Sequence, residues 1–469
     1  MSVKRTIKIN RFDNQESRLA NSYYNFLPTE VLDNSMGVEE ATFPYNTSGG
    51  SEYKLDFNTN SIESVKGVNY FKQYFSNNGL TVHRLLVYSN DKKVYINQMY
   101  TEDAGLYSLY NMTFDAPPIT LAFKQNDADA IILADGNSMK IWKTNYTPYT
   151  INEAPIITSM CIQDGVLFCT VKEPAFKVWY CTDLNAENIG YISSNSGYIP
   201  LEDELGSSRK VVSFDDAVYA FRDYGITKIN FYKKTWSASQ VYQSNTKIFT
   251  NTVSVCGNMI LFATSDGLYQ FGGSKVTKLK INLGGMKLSS LQHATASSLA
   301  NKYFLACRIE YNDRLSVNEQ TGINNVILYI NTEDLSVGII RGVDVKSFLP
   351  IKTDTYERMY LVFNSGTCNK IGQLISRGKC FNKKQSKSWT SYIISADKND
   401  KLFTRLEAKC GLGVCIRIHY DGKTKDLVSY KDGYNSFTFR LQAKEVFLEI
   451  NSTNDKVKVE NISLDYYEE

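Results

Sequence analysis

The side chains that most often catalyse reactions or bind metals are few in this sequence, and they do not form known motifs. The three histidines, His83, His293 and His419, lie in different segments and show neither H-x-x-x-H nor H-E-x-x-H spacing. The sequence also lacks the G-x-S-x-G motif of serine hydrolases and the G-x-x-x-x-G-K-[ST] loop that binds phosphates. The usual signatures of nucleophilic and phosphate chemistry are therefore missing.

Cysteine spacing offers one metal-binding interpretation, which the surrounding residues do not favour. Cys410 and Cys415 flank Gly-Leu-Gly-Val and precede His419, but a second Cys or His pair at a suitable spacing is missing. Cys415 also falls in an alternating strand, where it serves as a small apolar residue. Cys368 and Cys380 are separated by a basic loop. We predict no metal site and no cofactor, and we expect the nine cysteines to be reduced thiols.

Carboxylates are the remaining candidates for chemistry, because propeller enzymes that cleave glycosides need two or three of them on inner strands. The candidates are Asp127, Asp129, Asp215, Asp216 and Asp266. Each lies in a turn context, where Asp serves to hydrogen-bond the backbone. We predict that the chain has no catalytic residues and is not an enzyme.

The elements that would position these residues are β-strands. Period-two alternation recurs through most of the sequence, whereas helical periodicity is rare. Units of two to four short strands, such as VCGNMILFATSDGLYQFGG at 255–273, begin roughly 35 to 50 residues apart. Asp-Gly, Ser-Asp and Asn-Asp pairs supply the positive φ angles that tight hairpins need. We predict an all-β protein with a six- or seven-bladed β-propeller; a string of β-sandwiches is the alternative.

The pattern changes near residue 376, and this change sets the predicted domain boundaries. Residues 376–409 contain nine Lys or Arg but three Asp or Glu. Beyond residue 401 the alternation is cleaner, and it places Leu402, Thr404, Leu406 and Ala408 on one strand face and Val414, Ile416, Ile418 and Tyr420 on the next. We predict an N-terminal arm with the first strands at 1–59, a propeller at 60–375, and a basic linker with a C-terminal antiparallel β-sandwich at 376–469.

Composition limits the possible partners. The chain has 469 residues, of which 43% are apolar, and a formal net charge of +3, so intrinsic disorder is excluded as the main state. The small net charge argues against a dedicated nucleic-acid-binding protein, and any contact with DNA would be local and non-specific. No apolar run reaches the roughly 18 residues of a membrane-spanning helix. The first ten residues lack the apolar stretch of a signal peptide, so we expect synthesis in the cytoplasm.

Two segments are candidates for a partner interface. The first is the arm, in which the aromatic anchors are Phe12, Tyr23, Tyr24 and Phe26. These side chains are equally consistent with a role in plugging the propeller edge. The second is the basic stretch with Arg377, Lys379, Lys383, Lys384 and Lys387, which is typical of a solvated linker and is also suited to an acidic partner or phosphates.

Three stretches of sequence together resemble a known class of propeller protein. They are NRFDNQESRLANSYYNFLP at 10–28, the blade sequence at 255–273, and WTS at 389–391 followed by LFTRLEAKCGLGVCIRIHYDG at 402–422. In their order and character they resemble the propeller proteins of tailed-bacteriophage virions, of the tail-accessory, packaged-DNA-stabilisation or head–tail connector type.

The resemblance implies a non-enzymatic structural protein of the tail or head–tail connector. Such a protein would form a homo-oligomeric ring, with six copies as one candidate number, against portal, adaptor, tail or fibre proteins. It would close the DNA channel or build the tail hub, and it would be located in the virion. The alternatives are a carbohydrate-binding or glycoside-hydrolysing propeller and a receptor-binding protein at the tail tip.

Overall fold

The structure is a computed structural model, and it describes residues 3–9, 37–45, 51–58, 60, 62–101, 104–232, 235–279, 287–310, 322–333, 335, 337–375, 379–380, 383–384, 387–391, 395–452 and 459–468. Within these residues, the fold is built almost entirely from antiparallel β-strands. A single short 3-10 helix, Ala186–Asn188, is the only helical element of the described chain. None of the described residues form a helix that could cross a membrane.

Seven four-stranded units occupy most of the chain. The N-terminal strands that precede them are β1 (Val3–Ile9), β2 (Gly37–Glu40), β3 (Phe43–Pro44) and β4 (Glu52–Tyr53). Blade 1 contains β5 (Val65–Phe75), β6 (Leu80–Ser89), β7 (Lys93–Met99) and β8 (Tyr107–Thr113). Blade 2 contains β9 (Ile119–Gln125), β10 (Ala128–Ala134), β11 (Met139–Lys143) and β12 (Tyr149–Ile151). Blade 3 contains β13 (Ile157–Gln163), β14 (Val166–Val171), β15 (Lys177–Cys181) and β16 (Ser196–Pro200).

The remaining blades continue the pattern. Blade 4 contains β17 (Ser208–Phe214), β18 (Ala217–Arg222), β19 (Gly225–Tyr232) and β20 (Thr235–Gln243). Blade 5 contains β21 (Ile248–Cys256), β22 (Met259–Thr264), β23 (Gly267–Phe271) and β24 (Val276–Lys278). Blade 6 contains β25 (Lys287–Leu299), β26 (Lys302–Glu310), β27 (Val326–Asn331) and β28 (Val337–Arg341). Blade 7 begins with β29 (Asp344–Lys352), β30 (Glu357–Asn364) and β31 (Asn369–Ile375), and its fourth strand is β2.

The seven sheets form a closed ring. The first strand of each blade contacts the first strand of the next blade, and β29 of blade 7 contacts β5 of blade 1. One buried apolar cluster lies between each pair of neighbouring blades. Between blades 1 and 2, for example, the rings of Phe71 and Trp142 lie 5.6 Å apart. The predicted β-propeller is therefore confirmed, and the number of blades is seven.

The predicted turn chemistry accounts for the hairpins inside the blades. Asn126 and Asp127, between β9 and β10, have φ angles of 50° and 62°. Asp164 and Gly165 occupy the same position in blade 3 with φ angles of 49° and 75°. Two consecutive left-handed residues form the type I′ turn whose twist matches a two-residue hairpin.

Blade 7 is completed by a strand from the N-terminal part of the chain. In β2, Val38 pairs with Leu374 of β31, and its side chain is fully buried in the cluster between blades 6 and 7. After β2, Phe43 stacks on Tyr360 of β30, with ring centroids 4.7 Å apart. The N-terminal segment thus contributes both to the last sheet and to the clusters on its two sides.

A polar network fixes this segment to blade 7. Arg358 donates to Glu52 and Gln373, each at 2.8 Å, and Gln373 donates to Glu39 and to the Thr42 hydroxyl, each at 2.8 Å. Burial alone would raise the pKa of Glu52, but hydrogen bonds from Arg358 and Thr42 outweigh that effect and hold the pKa below its ordinary value. Glu52 is therefore ionised opposite Arg358 at neutral pH.

The C-terminal strands form a separate unit with its own core. They are β34 (Lys387–Thr390), β35 (Ser395–Cys410), β36 (Cys415–Tyr420), β37 (Lys423–Val428), β38 (Gly433–Ser452) and β39 (Val459–Glu468). The short strands β32 (Lys379–Cys380) and β33 (Lys383–Lys384) come before them and extend the sheet of blade 7 beyond β2. From β34 onward the strands build an antiparallel sheet in which long β38 pairs with β35 through its first half and with β36 and β34 through its second. The two halves enclose one apolar cluster, which makes a β-sandwich.

The first strand of the chain joins the last one in this sandwich. Strand β1 pairs with β39 in antiparallel register from Val3 opposite Glu468 to Ile9 opposite Ile462. Ile9 is buried in the sandwich core, and Lys4 forms an ion pair of 2.9 Å with Asp465. Within the predicted N-terminal segment 1–59, residues 3–9 are therefore an edge strand of the C-terminal unit.

Two details of the C-terminal half differ from the sequence-based expectations. In β35 the pairing shifts between Phe403 and Arg405, so the inward side chains are Phe403, Leu406 and Ala408 rather than Leu402 and Thr404. A bulge inserts one residue and reverses the alternation, which a period-two pattern cannot show. In addition, the segment interpreted as a solvated linker forms strands. β32 and β33 extend the sheet of blade 7, where Cys380 pairs with Val38 at the free edge of β2, and β34 pairs with β38 in the sandwich.

Replacing Val38 with alanine should weaken blade 7. Removing two buried methyl groups and leaving a cavity should lower the free energy of unfolding by about 2 kcal/mol. Urea unfolding followed by tryptophan fluorescence checks this, since Trp142, Trp179 and Trp236 lie in the blades. Val428→Ala, at a position 56% exposed, is the control and should change stability by less than about 0.5 kcal/mol. Equal stability of the two variants would contradict the assigned role of β2.

Candidate interaction surface

The interface residues predicted from sequence fall largely outside what the structure describes. Phe12, Tyr23, Tyr24, Phe26 and Arg377 lie outside the described residues. Lys379, Lys383, Lys384 and Lys387 belong to the backbones of β32, β33 and β34, and their side chains are not described. Whether these residues contact a partner stays a prediction.

The aspartates singled out from sequence lie in or next to turns, and the carboxylates of Asp129 and Asp266 accept hydrogen bonds there. Asp127 and Asp215 have positive φ angles in hairpin turns, and Asp129 accepts a hydrogen bond of 2.6 Å from the Tyr74 backbone. Asp266 accepts a hydrogen bond of 2.7 Å from the Tyr269 hydroxyl. Its pKa is lowered to about 2, mainly by the hydrogen bond from Thr264. This agrees with the interpretation of these carboxylates as turn residues.

The histidines are held apart from one another. His83 contacts the Tyr70 hydroxyl and lies edge-on to Tyr100, and burial lowers the pKa of His83. His419 contacts Glu449 at 2.7 Å in the sandwich and stacks on Phe447 at 4.3 Å. The rings of His83 and His419 thus make their contacts in two different units, blade 1 and the sandwich.

The cysteines show the same dispersal. Cys410 is buried at the end of β35, where its sulfur accepts from Asn435 at 3.7 Å, while Cys415 lies in β36. Among the described residues, no three His, Cys, Asp or Glu side chains come close enough together to hold a metal ion.

One end of the sandwich carries four large apolar side chains that face solvent. They are Leu412, Val428, Tyr430 and Tyr434, and each is between 54% and 65% exposed. We call this set the apolar end. Its members come from the turn before β36, the end of β37 and the start of β38, which meet because Leu412 and Asp432 share a hydrogen bond of 2.7 Å. Exposed apolar residues that cluster in this way typically mark an interaction site.

A buried asparagine fixes the shape of the apolar end. The Asn435 side-chain oxygen accepts from the backbone of Tyr430 at 3.0 Å and of Lys431 at 3.2 Å. Its nitrogen donates to the carbonyls of Lys431 and Gly433 at 2.9 and 3.0 Å. Because Asn435 is only 1% exposed, these bonds are formed away from water and hold the loop in one conformation.

The rim of the apolar end carries charges of both signs, because Lys409 forms an ion pair with Glu460 and Lys431 is followed by Asp432. The Lys431 ammonium lies 5.7 Å from the centroid of the Tyr430 ring, and the Lys409 ammonium lies 5.9 Å from that of Tyr434. The Asp432 carboxylate accepts the Leu412 amide, so it is partly used by the loop itself. An apolar centre surrounded by charges of both signs fits a protein partner with an apolar centre and a polar margin.

Sequence reasoning missed this surface. Leu412 stands between two glycines, and Tyr430 and Tyr434 flank Lys-Asp-Gly, so all three occupy turn contexts that alternation does not place. The available signal was an apolar residue in each of two adjacent turns, where polar residues are the rule.

The inner strands of the propeller contain one lysine in an unusual environment. The Lys210 Nζ atom in β17 donates to the carbonyl oxygen of Val253 in β21, at 2.6 Å, and so links blades 4 and 5. Removal from water lowers the pKa of Lys210 to about 8. This residue lies in a different unit from the apolar end.

Comparisons with known proteins show similarity in structure only. No family model matches this sequence, and no curated protein matches it significantly. BBS1N, crystallised in complex with ARL6DN, aligns with 66% of this chain and 93% of its own chain at 11% identity and a TM-score of 0.43. Hsv2 of Kluyveromyces lactis aligns with 55% of this chain and 81% of its own at 11% identity and a TM-score of 0.34. Similarity at this level carries no argument about function.

Asn435→Ala should destabilise the sandwich. The substitution leaves two amides and two carbonyls of the loop without their partner, at a cost of about 2 kcal/mol. Differential scanning calorimetry should show a lower melting temperature, and Thr438→Ala, at an exposed position of the same strand, should leave it unchanged. An Asn435→Ala melting temperature equal to that of the wild type would show that the loop does not depend on this side chain.

Lys210 should make stability rise with pH. Below pH 8 the ammonium is charged in both folded and unfolded chains, so the full cost of enclosing the charge is present. Between about pH 8 and 10 the folded chain releases the proton, whereas the unfolded chain, with its pKa of 10.5, retains it. The wild-type free energy of unfolding should therefore rise relative to Lys210→Met by on the order of 1 kcal/mol. The control is Lys302→Met, an exposed position, and parallel pH curves for wild type and Lys210→Met would refute the assignment.

Proposed function

We propose that the chain is a non-enzymatic structural component of a tailed-phage virion, in the tail or the head–tail connector. The observation that carries the proposal is the apolar end, a fixed and exposed surface on a sandwich that is attached to a closed propeller. The sequence resemblance to virion propeller proteins supplies the setting, with synthesis in the bacterial cytoplasm and final location in the particle.

A role in assembly suits the way the molecule is built. A closed propeller needs no partner to satisfy its sheet edges, so its shape is independent of the particle. In this proposal the apolar end docks on a neighbouring tail or connector subunit, whose polar margin faces Lys431 and the Lys409–Glu460 ion pair. Copies of the chain would then be arranged as a ring, because symmetry repeats the same contact around the particle axis.

The described carboxylates also favour a structural role over glycoside hydrolysis. Retaining glycosidases place two carboxyl groups about 5 Å apart, and inverting enzymes place them roughly 6.5 to 9.5 Å apart with room for water. Asp127, Asp215 and Asp266 occupy turns of three different blades, and Asp266 is already bound by Thr264, Tyr269 and Lys278. Asp127 and Asp215 have the positive φ angles of their hairpin turns, and the hydrogen bonds of Asp266 stabilise its own turn.

The test uses particles assembled with variant protein. Phage particles are purified from a producing culture in which the chain is replaced by Leu412→Asp/Tyr434→Asp, and the copies per particle are counted by quantitative immunoblot. We expect incorporation to fall about tenfold or more, because two charges enter an apolar contact. Ile192→Asp, at a position of blade 3 that is 76% exposed, is the matched control and should be incorporated normally.

Two other outcomes would refute separate parts of the proposal. Absence of the wild-type chain from purified particles would contradict the virion assignment. Normal incorporation of the double variant would keep the chain in the virion but show that another surface makes the contact.

A further inference from the structure

Among the inner strands of the propeller, the two largest interruptions of strand pairing lie side by side in blades 5 and 6. In β21 the pairing jumps from Phe249 opposite Ala263 to Ser254 opposite Leu261, so that residues 250–253 face a single residue of β22. In β25 it jumps from Ser290 opposite Arg308 to Thr295 opposite Ala306, so that residues 291–294 face a single residue of β26. Other inner strands have one-residue shifts, and bulges are frequent next to binding sites.

Both bulges are held in place by side chains. Thr252 bridges its own strand, since its hydroxyl donates to Phe249 at 2.6 Å and accepts from the Ala263 amide at 2.8 Å. The Thr252 carbonyl accepts from the Tyr303 hydroxyl of blade 6 at 2.7 Å. In β25 the carbonyl of His293 accepts from Asn324 at 3.2 Å. The backbone between the two bulges is therefore preorganised.

A groove of about 550 Å³ lies between the bulges and the edge of blade 4. Its volume is in the range of small-ligand sites, about 300 to 1,000 Å³. Hydroxyl and amide side chains dominate its wall, namely Thr250, Asn251, Ser265, Ser289, Ser290 and Gln292. Phe249 and Leu288 add half-buried apolar surface to the same groove.

The blade 4 side of the groove has an excess of positive charge. Arg209 and Lys247 both contact Asp223, at 3.4 and 3.5 Å, and remain 40% and 56% exposed. Burial would raise the pKa of Asp223, but hydrogen bonds from Arg209 and the Ser207 amide outweigh this and hold the pKa below its ordinary value. One ionised carboxylate thus faces two cations, which leaves one positive charge for an anionic ligand.

We propose that this groove binds an acidic sugar residue. The sugar carboxylate pairs with Arg209 and Lys247, and the ring hydroxyls bond to the Ser, Thr, Asn and Gln side chains of the wall. The apolar face of the ring packs against Phe249. The ligand class follows from a carboxylate-binding pair beside many neutral hydrogen-bonding groups, and it does not depend on the proposed role in a virion.

The experiment measures binding of D-glucuronate to the full chain by saturation-transfer NMR. D-Glucose, which lacks the carboxylate, and acetate, which lacks the sugar ring, are the comparison probes. Glucuronate should bind about tenfold more tightly than either. Lys247→Met should weaken glucuronate binding by about tenfold, and Gln292→Trp, which fills the groove, should abolish it. The matched control is Lys278→Met in the same blade, because Lys278 also pairs with an aspartate, at 3.3 Å, and is 51% exposed but lies outside the groove.

Several results would overturn the assignment. Equal affinity for acetate and glucuronate would show recognition of a carboxylate alone, as in an acidic peptide, and equal affinity for glucose would show that the charge is unused. Undetectable glucuronate binding by the wild type, or unchanged binding by both groove variants at wild-type melting temperature, would show that the groove is not the site.

Discussion

The architecture depends on closing a ring of seven sheets. Each blade buries its two faces against its neighbours, so a gap between the last and first blades would expose two apolar faces and a free sheet edge. Here the chain closes the gap with β2, and the closure joins residues as distant as Thr42 and Gln373, which are 331 positions apart. The polar network around Arg358 belongs to this closure, because its members connect β2, the β3–β4 hairpin and blade 7.

Blade 7 is also where the sandwich is connected to the propeller. The chain passes from β1 in the sandwich to β2 in blade 7, and it returns from β31 through β32 and β33 beside β2. Both connections between the sandwich and the propeller therefore lie at blade 7. The sandwich, which carries the apolar end, contains the first and the last strand of the chain. The Arg358 network takes part in these connections, and the aspartates singled out from sequence lie in or next to turns. The candidate binding surfaces are the apolar end and the groove between the two bulges.

Sequence reasoning succeeded where the signal is local. Hairpins such as Asp164-Gly165 and Asp421-Gly422 have the positive φ angles that their residue types predict, and the strands between them follow the alternation. The local pattern predicts six or seven blades and does not fix the number, because the last unit has three consecutive strands, β29 to β31, and its fourth strand is encoded before blade 1. The missing fourth strand was itself a signal, since a three-stranded final unit implies that one strand comes from elsewhere in the chain.

Sequence reasoning failed where the structure depends on non-local pairing or on a register shift. The bulge at Arg405 exchanges the two faces of β35, and the bulges at 250–253 and 291–294 are set by Tyr303, Lys210 and Asn324, which lie in other strands or segments. Nothing in the residue types of β1 shows that it pairs with β39. The apolar end was missed for a related reason, because two separate turns must meet before Leu412, Tyr430 and Tyr434 become one surface.

Amide hydrogen exchange of the native chain tests the closure most directly. If β2 is the fourth strand of blade 7, peptides covering residues 37–45 should exchange as slowly as those covering β31, with which β2 pairs. Exchange of residues 37–45 at the rate of an unstructured peptide, while β31 remains protected, would show that the ring is closed without this strand and would contradict the account.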